Sequence, residues 1–183
     1  MIYTTADKEK HLYQILELQR LNLAIDRSEE DIQREGFVTC EHSIDLLSEM
    51  NKPHPHIIAL EEEKVIGYAL VMLQEMRDSL NVLRPMFDNI DKLYPKSNDT
   101  SEDSYFVMGQ ICIDSDHRGQ GVFYSLYNHM KLGMSPYYDL CITEISSLNK
   151  RSLKAHANQG FKTVHKYTSS DGHPWEIVAW DWS

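Results

Sequence analysis

The sequence predicts a mixed α/β fold in which helices flank a sheet, and three features carry that expectation. Two pairs of short apolar runs, within residues 56–73 and 161–182, are joined by turn-forming residues, as in antiparallel hairpins. An apolar run from Phe106 leads into a glycine-rich turn and then an amphipathic stretch, as where a strand feeds a helix. A second apolar run, Leu140 to Ile145, precedes residues 149–161, which read as a helix stopped by Gly160.

At 183 residues the chain suits one domain, 1–183, with a single sizeable core, and 42% hydrophobic with 25% charged residues is ordinary globular composition. The net charge of -10 argues against nucleic acid or an anionic membrane surface as partner, because both reward a basic face. It is compatible with a cationic amine as substrate. No segment approaches the roughly 18 apolar residues of a membrane span, and the opening residues lack the apolar core of a signal peptide, so a cytoplasmic location is expected. Cys40, Cys112 and Cys141 are scattered and odd in number, which predicts reduced core residues rather than disulfides.

Residues 2–5 read as a first strand, and residues 11–24 place Leu12, Ile15, Leu16, Leu18 and Leu23 at near-helical spacing. Residues 43–50 read as another helix, capped by Ser43 and ended by Asn51-Lys52-Pro53. The runs 56–60 and 65–73 are joined by Glu61-Glu62-Glu63-Lys64, a charged hairpin turn. Residues 75–104 are polar and carry Arg84-Pro85 and Tyr94-Pro95, which predicts a short helix and, over 97–103, a loop too polar for a core. Val122, Leu126 and Met130 recur every fourth residue with Tyr127 alongside, a stripe that core packing explains. The closing hairpin turns at Ser169-Ser170-Asp171-Gly172.

Chemistry enters at Asp116-His117-Arg118-Gly119-Gln120-Gly121-Val122. A glycine-rich turn can bring consecutive backbone N–H groups around one anion, and a helix starting there adds unpaired donors and the positive end of its dipole. The pattern suits a phosphorylated ligand, although such turns also end strands in proteins that bind nothing. Order resolves more than the turn alone. Apolar strand, Arg-Gly-x-Gly, helix, second strand, Asn149, helix and then Gly160-Phe161 resembles the acetyl-CoA-binding half of the GCN5-related N-acetyltransferase (GNAT) family, over roughly residues 106–161.

That resemblance implies a mixed, mostly antiparallel central sheet flanked by helices, with splayed central strands forming an acyl-CoA cleft. It implies acetyl-CoA as cosubstrate, held by the strand backbone of Ile111, Cys112 and Ile113 and by the loop residues Arg118, Gly119, Gln120, Gly121, Val122 and Phe123, with Asn149 and Ser152 on the next helix. No metal is implied, and a homodimer is compatible with it. Phe123 departs from the Gly or Ala usual in the family, so the helix start must tilt or send that ring elsewhere.

Acetyl transfer to an amine requires a neutral nitrogen, so an ammonium of pKa about 10.4 must first lose a proton. By resemblance Glu144 occupies the place of a glutamate base; read from the residues alone, it is equally a strand-end carboxylate facing solvent or paired with Lys or Arg. His156 stands where many relatives carry a Tyr acid, and it is either a proton donor or a structural helix residue. The implied function is transfer of an acetyl group to a primary amine, of a small molecule or of a peptide or protein. The alternative is a non-catalytic acyl-CoA-binding regulatory module. His54-Pro55-His56 lacks Cys or carboxylate companions and reads as a turn rather than a metal site. Asp114 and Asp116 read as turn and cap residues. Trp175, Trp180 and Trp182, with Tyr137 and Tyr138, suit either an acceptor pocket or plain packing.

Overall fold

Strand β1 (Ile2–Thr5), helices α1 (Glu9–Arg20) and α2 (Ile44–Asn51), strands β2 (Ile57–Glu61) and β3 (Lys64–Met72) and helix α3 (Arg84–Leu93) form the first half of the fold. The second half runs β4 (Tyr105–Ile113), α4 (Val122–Met134), β5 (Leu140–Ser146), α5 (Lys150–Gln159), β6 (Lys162–Thr168) and β7 (Pro174–Asp181). These elements come from a computed structural model that describes residues 1–23, 38, 40–79, 83–94 and 105–183. Ala24, at the end of the expected first helix, and the polar loop expected over 97–103 lie outside the described residues.

The strands form one sheet in the order β1-β2-β3-β4-β5-β7-β6. Every neighbouring pair is antiparallel except β4 and β5. This is the mixed, mostly antiparallel sheet that the resemblance implied. The closing hairpin contributes its second strand, β7, to the centre, leaving β6 at the edge.

Alternation along the strands sorts the core into two layers. Ile58, Leu70 and Ile142 face α1, α2 and α3 with Ile15, Leu47, Phe87 and Ile90. Ile57, Ala59, Val71 and Cys141 face the other way, onto Leu126, Tyr127 and Met130 of α4. The stripe on α4 is therefore core, and each such fully buried side chain contributes about 1.5–3 kcal/mol. Local signals set the ends of the helices. Ser43 caps α2 by accepting from the Leu46 N–H at 3.2 Å, and Pro85 stands in the first turn of α3. Gly160 ends α5 at φ 115, where an added Cβ would come 2.8 Å from Trp180 Nε1, so glycine is required by both backbone and space.

Three buried histidines make the fold acid-sensitive. His56 accepts from the Val71 N–H at Nδ1 and donates through Nε2 to the Leu47 carbonyl. Burial lowers His56, His42 and His156 to about 4 each. Between about pH 4.5 and 6.5 the unfolded chain protonates all three histidines, whereas, of these three and Glu144, the folded chain protonates only Glu144, raised to about 7 mainly by burial. The unfolded state then holds about two protons more, so stability falls as pH falls, by at most roughly 2–3 kcal/mol per pH unit. A steep loss of thermal midpoint across that window is the expected result, and a flat profile contradicts it.

Candidate active site

At the end of β4 the chain makes a tight turn that the sequence dictates residue by residue. Asp114 Oδ1 accepts from the Asp116 N–H at 3.1 Å and starts a 3-10 turn over Ser115–His117. Gly119 and Gly121 then adopt φ 75 and 82, the left-handed region, and a Cβ at either would meet nothing within 4 Å. Gly121 is the residue before α4 and offers no side-chain cap, so the first amides of the helix are left to whatever occupies the adjoining space. Asp114 and Asp116 are thus turn residues here, as expected.

The charged side chains of the turn brace it. Arg118 folds back, Nε donating to the Ile113 carbonyl at 3.1 Å and Nη2 to Asn22 Oδ1 at 2.6 Å, which ties the turn to the residues after α1. Gln120 bonds the Asp116 carbonyl. His117 sits between Glu61, 3.0 Å from Nε2, and Asp114, 3.2 Å from Nδ1, and these two partners raise its pKa.

A cleft of about 310 Å³ opens over this turn. Ten of the eleven expected cofactor residues line it: Ile111, Cys112, Ile113, Arg118, Gly119, Gly121, Val122, Phe123, Asn149 and Ser152, with Gln120 outside. The backbone explains the opening. β4 and β5 pair only over Tyr105–Val107 and Leu140–Ile142, although β4 continues to Ile113 and β5 to Ser146. The strands therefore diverge beyond Val107. β4 is also irregular there, since Ala69 and Val71 pair with Ile111 and Met108, giving β4 one extra residue at the bulge.

On the far side of the gap is a second cavity, about 450 Å³, lined by Met72, Met86, Met108, Glu144, His156 and Trp175 among others. It shares Val38, Ile111, Asn149 and Ser152 with the first, so the two meet where β4 and β5 part.

This architecture has solved counterparts. A ribosomal-protein-alanine N-acetyltransferase from Brucella melitensis is 15% identical with a TM-score of 0.65, covering 99% of each chain. A GNAT-family protein from Desulfovibrio desulfuricans is 10% identical with a TM-score of 0.66, covering 100% of this chain and 99% of its own. The yncA protein of Salmonella typhimurium, solved with its cofactor acetyl-CoA, is 12% identical with a TM-score of 0.65, covering 100% of this chain and 94% of its own. The chain has the GNAT fold. No family model matches its sequence, and no curated protein matches it either.

Within the GNAT fold, Glu144 lies on β5 just beyond the last residue paired with β4, so its side chain projects where the sheet has opened. It is half-buried and, among the described residues, pairs with no Lys or Arg: its Oε2 accepts a hydrogen bond from the Tyr167 hydroxyl. Burial raises its pKa to about 7, and the Tyr167 bond opposes that rise.

His156 is in different surroundings. Its Nδ1 lies 2.8 Å from the Ser152 carbonyl, which can only accept, so Nδ1 carries the proton and Nε2 accepts from the Tyr127 hydroxyl at 2.6 Å. Both nitrogens are partnered, and the ring is fully buried against Tyr127, Phe161 and the partly buried Phe123. Phe123 answers the question of its ring there: it lies edge-on to His156 and to Tyr127, with centroids 5.0 Å apart in each case. The two residues that depart from the GNAT pattern are thus in contact, a larger ring on α4 beside a smaller one on α5. His156→Tyr alone should overpack this cluster and cost about 1–3 kcal/mol. Combined with Phe123→Ala it should be better tolerated than the sum of the single changes, a coupling that a double-mutant cycle measures and that additivity would refute.

Several residues of the site were not visible as such in the sequence. Gln19 Nε2 donates to Gln110 Oε1 at 2.6 Å and lies 2.8 Å from His42 Nδ1; Gln110 also accepts from Tyr68 and donates to the Cys40 carbonyl. This buried network fixes residues 40–42 as one wall of the second cavity. A glutamine inside the apolar run of β4 was its signal. Of the five aromatic residues weighed for an acceptor pocket, Trp175 lines it, whereas Trp180 and Trp182 pack beside α4. Cys40, Cys112 and Cys141 are free thiols, and no group of three His, Cys, Asp or Glu among the described residues is arranged to hold a metal.

Proposed function

We propose that this chain transfers an acetyl group from acetyl-CoA to a primary amine. The observation that carries this reading is the continuity of two unlike cavities through the gap between β4 and β5: a glycine-lined cleft at a helix start, and beyond it a cavity holding a carboxyl group of pKa about 7. The cleft fits a phosphorylated cosubstrate, because Gly119 and Gly121 leave open the space that side chains would fill and α4 points its N-terminus there. Backbone at Ile111 to Ile113 lies beyond the part of β4 that pairs with β5 and borders the gap, where an extended amide-bearing arm would run.

In this reading Glu144 is the base. A carboxyl near 7 is half ionised at neutral pH and is well matched to accept a proton from an ammonium before or during attack. The ammonium gives one proton to Glu144, the neutral nitrogen forms the new amide bond as the thioester C–S bond breaks, and the remaining surplus proton on that nitrogen passes through water to the departing thiolate. His156, neutral and bonded at both nitrogens, serves to position α5 against α4 rather than to give that proton.

Thiol release from acetyl-CoA, measured with a panel of primary amines that includes peptide N-termini, small amines and lysine side chains, tests the reading and finds the acceptor class. Acetyl-CoA binding without thiol release from any amine would favour the non-catalytic module. A cytoplasmic location belongs to the same proposal, since acetyl-CoA must be supplied.

A further inference from the structure

We propose that Tyr167 is the positioning residue of this site: donating its hydroxyl to Glu144, it fixes the direction of the carboxylate and stabilises its ionised form. This deepens the reading of Glu144 as base and rests on it. Tyr167 stands on β6, opposite Trp175 of β7, so a residue of the closing hairpin reaches the strand that borders the gap. Its ring stacks on His165 at 6.2 Å and 19°, which holds it in place.

Glu144 needs such a partner because its surroundings supply no opposite charge. Among the described residues lining the cavity none is Lys or Arg. Facing it from the other elements are Glu41 and His42 ahead of α2, His156 of α5, and Asp171 and His173 of the β6–β7 turn. His42 and His156 are held neutral by burial, and His173 is engaged with Ser146 at 2.7 Å. Glu41 pairs with Arg20 at 3.2 Å and Asp171 accepts from the Ser169 hydroxyl, so neither partners Glu144. A phenol is a suitable donor for this task, since burial and the bond to Glu144 both raise its own pKa and keep the proton on Tyr167.

A hydrogen bond from a neutral donor to a carboxylate favours the anion, so removing it raises the carboxyl's pKa. The test is a carbon-13 NMR titration of protein labelled at glutamate carboxyls, with Glu144 assigned by its absence in Glu144→Gln. In Tyr167→Phe the Glu144 midpoint should rise by about one pH unit, a tenfold gain in proton affinity. Turnover should then fall about fivefold at neutral pH and recover as pH rises, with acetyl-CoA affinity unchanged. An unmoved midpoint overturns the proposal. A moved midpoint together with unaltered turnover in Glu144→Gln would instead overturn the base reading and leave the Tyr167 contact standing. Should Tyr167→Phe fold poorly, the parent carries the same information: the Tyr167 carbon-13 ring signal should titrate with the Glu144 midpoint and lose that titration in Glu144→Gln, and its indifference to Glu144 overturns the proposal.

Discussion

Glu144→Gln should lower turnover by about 10² to 10⁴ while leaving acetyl-CoA affinity unchanged, because it removes a general base and touches nothing in the glycine-lined cleft. Gln keeps the size and hydrogen-bonding capacity of Glu but cannot take a proton. The pH profile should change in a specific way. In the parent, the active form is the carboxylate, so the rate should rise with pH through about 7. In the variant that limb should disappear, leaving only the dependence set by the acceptor's own ammonium. Stability should move in the opposite sense to activity. A carboxyl whose folded pKa is raised is stabilising as the acid, and that contribution is lost as pH rises from the unfolded value of 4.5 through about 7. Above that window the ionised group costs on the order of 3 kcal/mol, so Glu144→Gln should raise the thermal midpoint at alkaline pH. A variant that is slower yet more stable cannot be explained by damage to the fold. Parental turnover with a confirmed acceptor would remove Glu144 from the mechanism.

What the sequence revealed was whatever is set by near neighbours. The turn from Asp114 to Gly121 was legible because left-handed backbone calls for glycine and a short acid can start a turn, both within a few residues. The strands were legible as apolar runs, and most helix ends fell within one or two residues of the observed bounds, although α1 ends at Arg20, four residues before the expected Ala24. The partners of the functional groups were not. Gln19 and Gln110 are 91 residues apart, Glu144 and Tyr167 are 23 apart, and Arg118 turns to Asn22 across 96 residues. No periodicity couples such positions; they meet because β7 enters between β5 and β6 and because α1 packs on β3 and β4. Phe123 and His156 show the consequence most clearly. Each is a departure from the family pattern when read singly, and the fold makes them one packed unit.

Gly121→Glu should nearly abolish acetyl-CoA binding without unfolding the protein. Its Cβ would project into open space rather than into neighbouring atoms, so no clash with the core follows. The cost is conformational: at φ 82 an L-residue is strained by about 1–2 kcal/mol. That is partly offset, since an acidic side chain at the start of α4 interacts favourably with the helix dipole by about 0.3–1 kcal/mol. The same interaction defeats the ligand, because the carboxylate competes for the amides and the positive field that phosphates would use, and repels them when they approach. Thermal-shift measurements separate the two effects. In the parent, acetyl-CoA at 100 times its dissociation constant should add about 2.7 kcal/mol to stability. In Gly121→Glu the unliganded midpoint should fall slightly and the ligand-dependent rise should vanish, whereas Gly121→Asn, which tolerates the left-handed region and carries no charge, should keep part of it. Equal ligand-dependent stabilisation of Gly121→Glu and the parent would mean that the glycine-lined cleft is not where the phosphates bind, and the proposed direction of acyl transfer through the gap between β4 and β5 would fall with it.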